Sequence, residues 1–125
     1  MKKPRFGQFK LSDFSRIQFV LSITDLARDI YQTAKEKGWW KGKQNDGEKV
    51  ALMHSELSEA LEAFRYGNPK SEHIPEFSAV EEEYADVIIR VLDHAESKGY
   101  RIGEAMLAKM EFNKGRSHRH GGKLF

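Results

Sequence analysis

The chain has 125 residues, enough for one domain and too few for two domains of ordinary size. It contains no cysteine, so disulfides, thiol nucleophiles, thiolate zinc sites and iron–sulfur clusters are excluded, and any metal must be bound by oxygen or imidazole. Hydrophobic residues make up 39% and charged residues 32%, a composition that predicts a largely folded protein. No apolar run approaches the roughly 18 residues of a membrane span, and no apolar segment follows the basic start. We therefore expect a cytoplasmic protein that does not bind membranes.

The charge is distributed unevenly. Residues 46–96 hold 13 of the 19 acids and only four of the 21 bases, a local charge of −9, so the two flanks together carry +11. This pattern is compatible with nucleic-acid contact through the basic ends, or with a site that combines a divalent cation with phosphate. It is also compatible with ordinary charged helix surfaces.

Four segments show helical periodicity, and no strong strand-like alternation competes with them beyond the first 23 residues, so we predict an all-α fold. The first helix is expected to start at Ser22 or Thr24 and to end before Gly38. Its inward-facing residues are predicted to be Leu26, Ile30, Thr33 and Ala34. Residues 1–21 form an N-terminal extension that the pattern assigns neither to strand nor to helix, and residues 22–125 form the helical domain.

The second helix is expected to be capped by Asp46 and to end near Gly67. Its predicted buried stripe consists of Val50, Met53, Leu57, Leu61 and Phe64.

The third helix begins at a capping box, Ser78 with Glu81 three residues later, and extends to Lys98. Its predicted stripe consists of Val80, Tyr84, Val87, Val91 and Ala95, widened by Ile88 and Leu92. A fourth helix, from about residue 103 to 114, leads into a basic tail.

Two pairs of acids are spaced three residues apart, Glu56 with Glu59 on the second helix and Glu83 with Asp86 on the third. Residues at this spacing project from one side of a helix. If the two helices pack antiparallel, four carboxylates converge, which is tolerable only with bound cations or strong pKa shifts. Carboxylate oxygens select Mg²⁺, Mn²⁺ or Ca²⁺. Solvated helices also carry such pairs without any metal.

A di-iron carboxylate bundle is the competing metal site, and it needs a Glu-x-x-His pair on two helices. The chain has five histidines, at positions 54, 73, 94, 118 and 120, and none has a glutamate three positions before it. The sequence therefore argues against a di-iron centre.

The spaced acids have a recognisable context. Glu56-x-x-Glu59, then 23 residues, then Glu83-x-x-Asp86 resembles the E-x-x-E…E-x-x-D motif of the MazG-like all-α nucleoside triphosphate pyrophosphohydrolases. The similarity to small bacterial and phage members covers about residues 24–125. It includes Gly38-Trp39-Trp40 before the acidic helix, and Lys109, Asn113, Arg116 and His120-Gly121-Gly122-Lys123 after it.

The resemblance implies a four-helix-bundle-like fold completed by oligomerisation into a homodimer or tetramer. It also implies Mg²⁺-dependent cleavage of a nucleoside triphosphate between the α and β phosphates, with Mn²⁺ as a second candidate metal. The implied metal ligands are Glu56, Glu59, Glu83 and Asp86, with one of Glu56 and Glu59 as general base. The implied phosphate contacts are Lys109, Asn113 and Arg116, with His120 and Lys123 of the tail as further contacts.

Several residues keep two interpretations. Trp39 and Trp40 are candidates for stacking on a base, or for sealing the core or a dimer interface. Arg90 either pairs with Asp86 one turn before it, which we favour, or binds phosphate. His54 is expected to be a surface or core histidine rather than a ligand.

The alternative function is a non-catalytic module that binds nucleic acid or protein through its basic ends. It predicts salt-sensitive binding to polynucleotides and no requirement for metal. Under the enzyme hypothesis the partners are a nucleoside triphosphate and further copies of the chain, and nucleic acid is not an expected partner.

Overall fold

The computed structural model describes residues 10–116. Four helices account for most of them: α1 (Asp13–Glu36), α2 (Asp46–Arg65), α3 (Ala79–Lys98) and α4 (Ile102–Lys114). Within this range the only β-type pairing is one isolated bridge between Lys70 and Ser78, so the predicted all-α class is confirmed. None of the helices in residues 10–116 is both long and apolar enough to cross a membrane.

The first helix begins about ten residues earlier than predicted, at Asp13 rather than Ser22 or Thr24. The start signal is Ser12, whose hydroxyl accepts a hydrogen bond from the Ser15 backbone N–H at 3.0 Å, as an N-cap residue does. Residues 14–21, which the sequence left open between strand and helix, are therefore helical. The boundary drawn after residue 21 falls inside α1.

The chain divides into two compact units, and the division falls within α1. In the first unit, the part of α1 before residue 26 packs against α4. Gly103 lies so close to α1 that a Cβ there would stand 2.6 Å from the Ile23 side chain, which explains the need for glycine at this position. Arg16 also reaches Glu111 of α4 at 3.6 Å.

The second unit, residues 26–100, contains the antiparallel pair α2 and α3. Asp46 at the start of α2 pairs with Lys98 at the end of α3, at 3.0 Å. At the opposite end, Asn68 just beyond α2 accepts a hydrogen bond from the Val80 N–H at 3.0 Å. The buried hydrophobic residues of this unit are mostly small: Ala27, Ala34, Ala60, Val80, Leu92 and Ala95.

The helix boundaries after α1 agree closely with the sequence. Ser78 and Glu81 form both hydrogen bonds of the predicted capping box, and Gly99 ends α3 in the left-handed conformation with φ 71°. One cap was wrongly predicted. The N-cap of α2 is Asn45, whose side chain accepts from the Glu48 N–H at 3.0 Å, while Asp46 is the first helical residue.

The predicted inward faces are only partly correct. On α2, four of the five predicted stripe residues are exposed, Leu61 by 58%, and the buried residues are Glu56 and Ala60. The predicted stripe residues that prove exposed are Val50, Leu57, Leu61 and Phe64 of α2, Tyr84 and Ile88 of α3, and Leu26 and Thr33 of α1. Periodicity identifies which face of a helix is apolar, but not whether the same chain covers it. Here α2 turns a face of small and acidic residues toward α3.

Candidate metal centre

The candidate site lies where the middle of α2 faces α3. Glu56 and Glu59 come from adjacent turns of α2, and Glu83 comes from α3. Each offers one carboxylate oxygen, and these three oxygens lie within 4.8 Å of one another. Glu56 is buried, with 8% of its surface exposed, whereas Glu59 is exposed and Glu83 is intermediate. Three of the four acids predicted to converge therefore form a cluster.

The fourth predicted ligand, Asp86, is not a member of this cluster. It is partly buried on α3, one turn after Glu83. Burial raises the pKa of Asp86, and the negative charges of Glu56 and Glu82 raise it further. Asp86 thus adds to the concentration of negative charge at this point of the helix pair.

The electrostatics show that the cluster has too little positive charge for its three carboxylates. Burial raises the pKa of Glu83 to about 8, and its hydrogen bonds with Glu56 and Glu59 contribute to the same shift. The hydrogen bond with Glu56 also raises the pKa of Glu59. If all three carboxylates are ionised, the buried Oε2 of Glu83 has no hydrogen-bond donor among the described residues. A shared proton or a cation is needed to satisfy it.

Arg90 provides the cluster with one positive charge, though not through the predicted partner. Its Nε donates to Oε1 of Glu56 at 2.8 Å, so the expected pair with Asp86 is wrong. The reason is the antiparallel packing, which places Arg90 opposite Glu56 on the neighbouring helix. Burial alone would raise the pKa of Glu56, but the hydrogen bond from Arg90, helped by those from Glu59 and Glu83, lowers it.

These observations fit a divalent cation. The donor set is composed of carboxylate oxygens, which hard cations prefer. The unsatisfied Glu83 oxygen is the kind of buried polar atom that a metal ion would compensate. Glu56, Glu59 and Glu83 therefore form a cluster that could hold a metal ion.

The two tryptophans have different surroundings. The Trp40 indole donates from Nε1 to Asp93 of α3 at 2.9 Å, meets the Tyr31 ring edge-on with centroids 5.4 Å apart, and lies under the Lys49 ammonium at 4.0 Å. Trp39 is 66% exposed. Of the two predicted stacking candidates, Trp39 thus has the open ring, whereas Trp40 is held among its neighbours.

The predicted phosphate contacts belong to the first unit. Lys109 and Asn113 lie one turn apart on α4, and Arg116 follows the end of the helix. The cations of Lys109 and Arg116 lie 4.5 and 5.9 Å from the centre of the Phe112 ring. His120 and Lys123 lie outside the described residues. His54 is exposed on α2, so of the two predicted places, surface or core, it lies on the surface.

Sequence reasoning missed Asp93 as a partner in this region. Burial raises the pKa of Asp93, while the hydrogen bond from Trp40 opposes that shift. A signal was present, because Glu83, Asp86, Arg90 and Asp93 follow one another at spacings of three, four and three, which is the period of one helix face. Arg90 was recognised on this face, and extending the same period by one further turn would have identified Asp93 as well.

Comparison with known proteins assigns no family. No family model, no curated protein and no solved structure matches the chain. The function must therefore be inferred from the residues of the site and their geometry.

Proposed function

We propose that the protein is a Mg²⁺-dependent nucleoside triphosphate pyrophosphohydrolase. The reaction would consume one water and cleave a ribo- or deoxyribonucleoside triphosphate into the monophosphate and pyrophosphate. The observation that carries the proposal is the cluster of Glu56, Glu59 and Glu83, in which a buried oxygen of Glu83 has no donor among the described residues. An excess of carboxylates with too few cations is what a divalent cation site requires.

The sequence supports the same proposal independently of the geometry. The order and spacing of the two acid pairs resemble the motif of the MazG-like pyrophosphohydrolases, as do the basic residues that follow. A triphosphate with its cation needs both carboxylates and basic groups, and the chain separates these into an acidic centre and basic flanks.

Each residue of the site can be given a role. Glu56, Glu59 and Glu83 would hold Mg²⁺, with Asp86 completing the set of acids. Bound Mg²⁺ neutralises phosphate oxygens and makes a water molecule more acidic. One of Glu56 and Glu59 would accept the proton from the attacking water, and the electron pair of the broken bond would leave with pyrophosphate.

The basic residues and Trp39 would bind the rest of the substrate. Lys109, Asn113 and Arg116 would contact the phosphates, where arginine can donate to two oxygens at once. Trp39 would stack on the base, because its ring is the exposed one of the pair. The resemblance extends the phosphate contacts to His120 and Lys123.

The active form would be a homodimer or tetramer. The support is the apolar surface that a single chain leaves exposed on α2 and α3. Its members are Leu57, Leu61 and Phe64 of α2 with Tyr84 and Ile88 of α3. Large apolar side chains exposed on two neighbouring helices favour an interface, so a second copy of the chain is the expected cover.

The test is pyrophosphate release from a panel of ribo- and deoxyribonucleoside triphosphates, including oxidised and methylated bases, with Mg²⁺ and with a chelator. We expect release that depends on the metal and is matched by an equal amount of monophosphate. Failure of every substrate would contradict the proposal and favour the binding-module alternative. Titration with a polynucleotide at two salt concentrations would then test that alternative, because phosphate contacts weaken steeply with salt.

A further inference from the structure

Arg90 is the one basic side chain that contacts the carboxylate cluster among the described residues. We propose that Arg90 is a positioning residue of the metal centre: it holds one oxygen of Glu56 through Nε, so that the other is presented for the cation. This inference rests on the proposed metal centre and goes beyond the ligand set that the sequence motif implies.

The geometry favours a fixed contact over a passing surface pair. The Arg90 Nε and the Glu56 Oε1 are 2.8 Å apart, which is a short, charge-assisted hydrogen bond. The bond joins two helices and ends on a carboxylate whose side chain is only 10% exposed. A glutamate has three rotatable side-chain bonds, and bonding one of its oxygens across the helix pair restricts them. The groups that orient metal ligands commonly work in this way.

The use of Nε makes arginine specific at this position. Nε lies part of the way along the side chain within a rigid planar group, whereas the lysine ammonium is a point charge at the end of a flexible stem. Lysine at position 90 would therefore keep the positive charge and lose the donor that fixes Glu56. The side chain of Arg90 is 40% exposed, so substitution there should leave the helix pair intact.

A positioning role and a purely electrostatic role predict effects of opposite sign. A positive charge beside a cation site repels the cation, so its removal should tighten Mg²⁺ binding if charge alone matters. If Arg90 holds Glu56 in place, its removal should weaken Mg²⁺ binding in spite of the lost repulsion. At about pH 9, where Glu83 is mostly ionised and protons compete little with the cation, the direction of the change decides between the two roles.

The experiment is calorimetric titration of the metal-free full-length protein with Mg²⁺, without nucleotide. We expect R90Q and R90K each to weaken Mg²⁺ binding by about 10-fold or more, the range found when an orienting partner of a ligand is removed. The control is R65Q, which removes the same charge from an exposed arginine on α2 that pairs with Glu62, at 3.9 Å, outside the cluster. R65Q should bind Mg²⁺ like the parent protein.

The outcomes separate this inference from the proposed function. Unchanged or tighter Mg²⁺ binding by R90Q would overturn the positioning role of Arg90. The proposed metal centre would still be supported in that case, provided that the parent protein binds Mg²⁺. Absence of Mg²⁺ binding by the parent protein would refute the metal centre, and the role of Arg90 with it. Circular dichroism checks the fold, and if R90Q does not fold, R90K decides the question by the same criterion. In an E56Q background, adding R90Q should change Mg²⁺ affinity no further, because Arg90 acts through Glu56.

Discussion

The acids at two places along the contact between α2 and α3, here called the α2–α3 seam, have different surroundings. At the end where α2 starts, Asp46 meets both His94, at 3.0 Å, and Lys98, also at 3.0 Å. The hydrogen bonds from these two residues lower the pKa of Asp46. Further along the seam, Glu56, Glu59 and Glu83 share the single cation of Arg90, and the pKa of Glu83 rises to about 8.

This difference shows how a sequence can separate structural acids from acids available for binding. Both groups lie between the same two helices, but the side chain of Asp46 is 63% exposed and that of Glu56 only 10%, so burial accounts for part of the contrast. The number of basic partners accounts for the rest, since among the described residues Asp46 has two and the cluster of three carboxylates has one. The first group is electrostatically complete, and the second requires a proton or an external cation.

The largest effect should come from removing one negative charge from the cluster or from Asp86 beside it. Glu59→Gln or Asp86→Asn should lower turnover of nucleoside triphosphate by more than about 100-fold, because even the outer partners of metal ligands matter by about 10–100-fold. Helix content should be unchanged in circular dichroism. The matched control is Asp46→Asn, which makes the same chemical change as Asp86→Asn but at the start of α2. It should leave turnover within about twofold of the parent protein. Parent-level turnover by both E59Q and D86N would remove these residues from the site.

The sequence predicted this contrast only in part. The acid pairs and the antiparallel helices follow from local patterns, because i,i+3 spacing and the Ser78 capping box depend on residues close in the chain. The partner of Arg90 does not follow from a local pattern, because it depends on which turn of α2 lies opposite Arg90 on α3. The exposed faces at Leu61 and Ile88 were misassigned for a similar reason, since apolar periodicity is the same whether the chain or another molecule covers the face.

The next effect concerns pH and the metal-free protein. The pKa of Glu83 is raised from 4.5 in an ordinary environment to about 8 in the folded protein, so the folded state keeps a proton that the unfolded chain releases. The resulting stability is fully present below about pH 4.5 and is lost as pH rises through about 8. The melting temperature of the metal-free protein should fall by several degrees over this interval.

Two comparisons assign that pH dependence to Glu83. E83Q, which resembles the protonated form, should show a flatter profile between pH 5 and 9, as followed by thermal melts. Added Mg²⁺ should stabilise the parent protein more at high pH than at low pH, because the cation binds the ionised carboxylates. A parent profile as flat as that of E83Q would mean that Glu83 carries no retained proton.

A smaller effect is expected where Trp40 meets Asp93, one turn along α3 from Arg90. Trp40→Phe removes the indole donor, 2.9 Å from Asp93, and leaves that partly buried carboxylate without it. The free energy of unfolding should fall by about 1.5–3 kcal/mol, as for loss of a hydrogen bond to a charged group. Denaturant titration measures this change. Mg²⁺ affinity should be unaltered, and a large loss of affinity would extend the metal centre to this part of the seam.

The smallest effect on stability should come from removing the ion pairs of Asp46 with His94 and Lys98, with the same Asp46→Asn variant. The folded pKa of Asp46 lies below its ordinary value of 3.8, so its ion pairs stabilise the protein above that pH, and the contribution disappears as pH falls through the lower folded pKa. Because Asp46 is exposed, water and salt screen the pairs, and the melting temperature at neutral pH should drop by only about 1–3 °C. The difference between D46N and the parent protein should shrink in high salt and vanish in acid. If added Mg²⁺ stabilises D46N by a different amount than it stabilises the parent protein, Asp46 and the carboxylate cluster are coupled, and the separation of structural from binding acids does not hold.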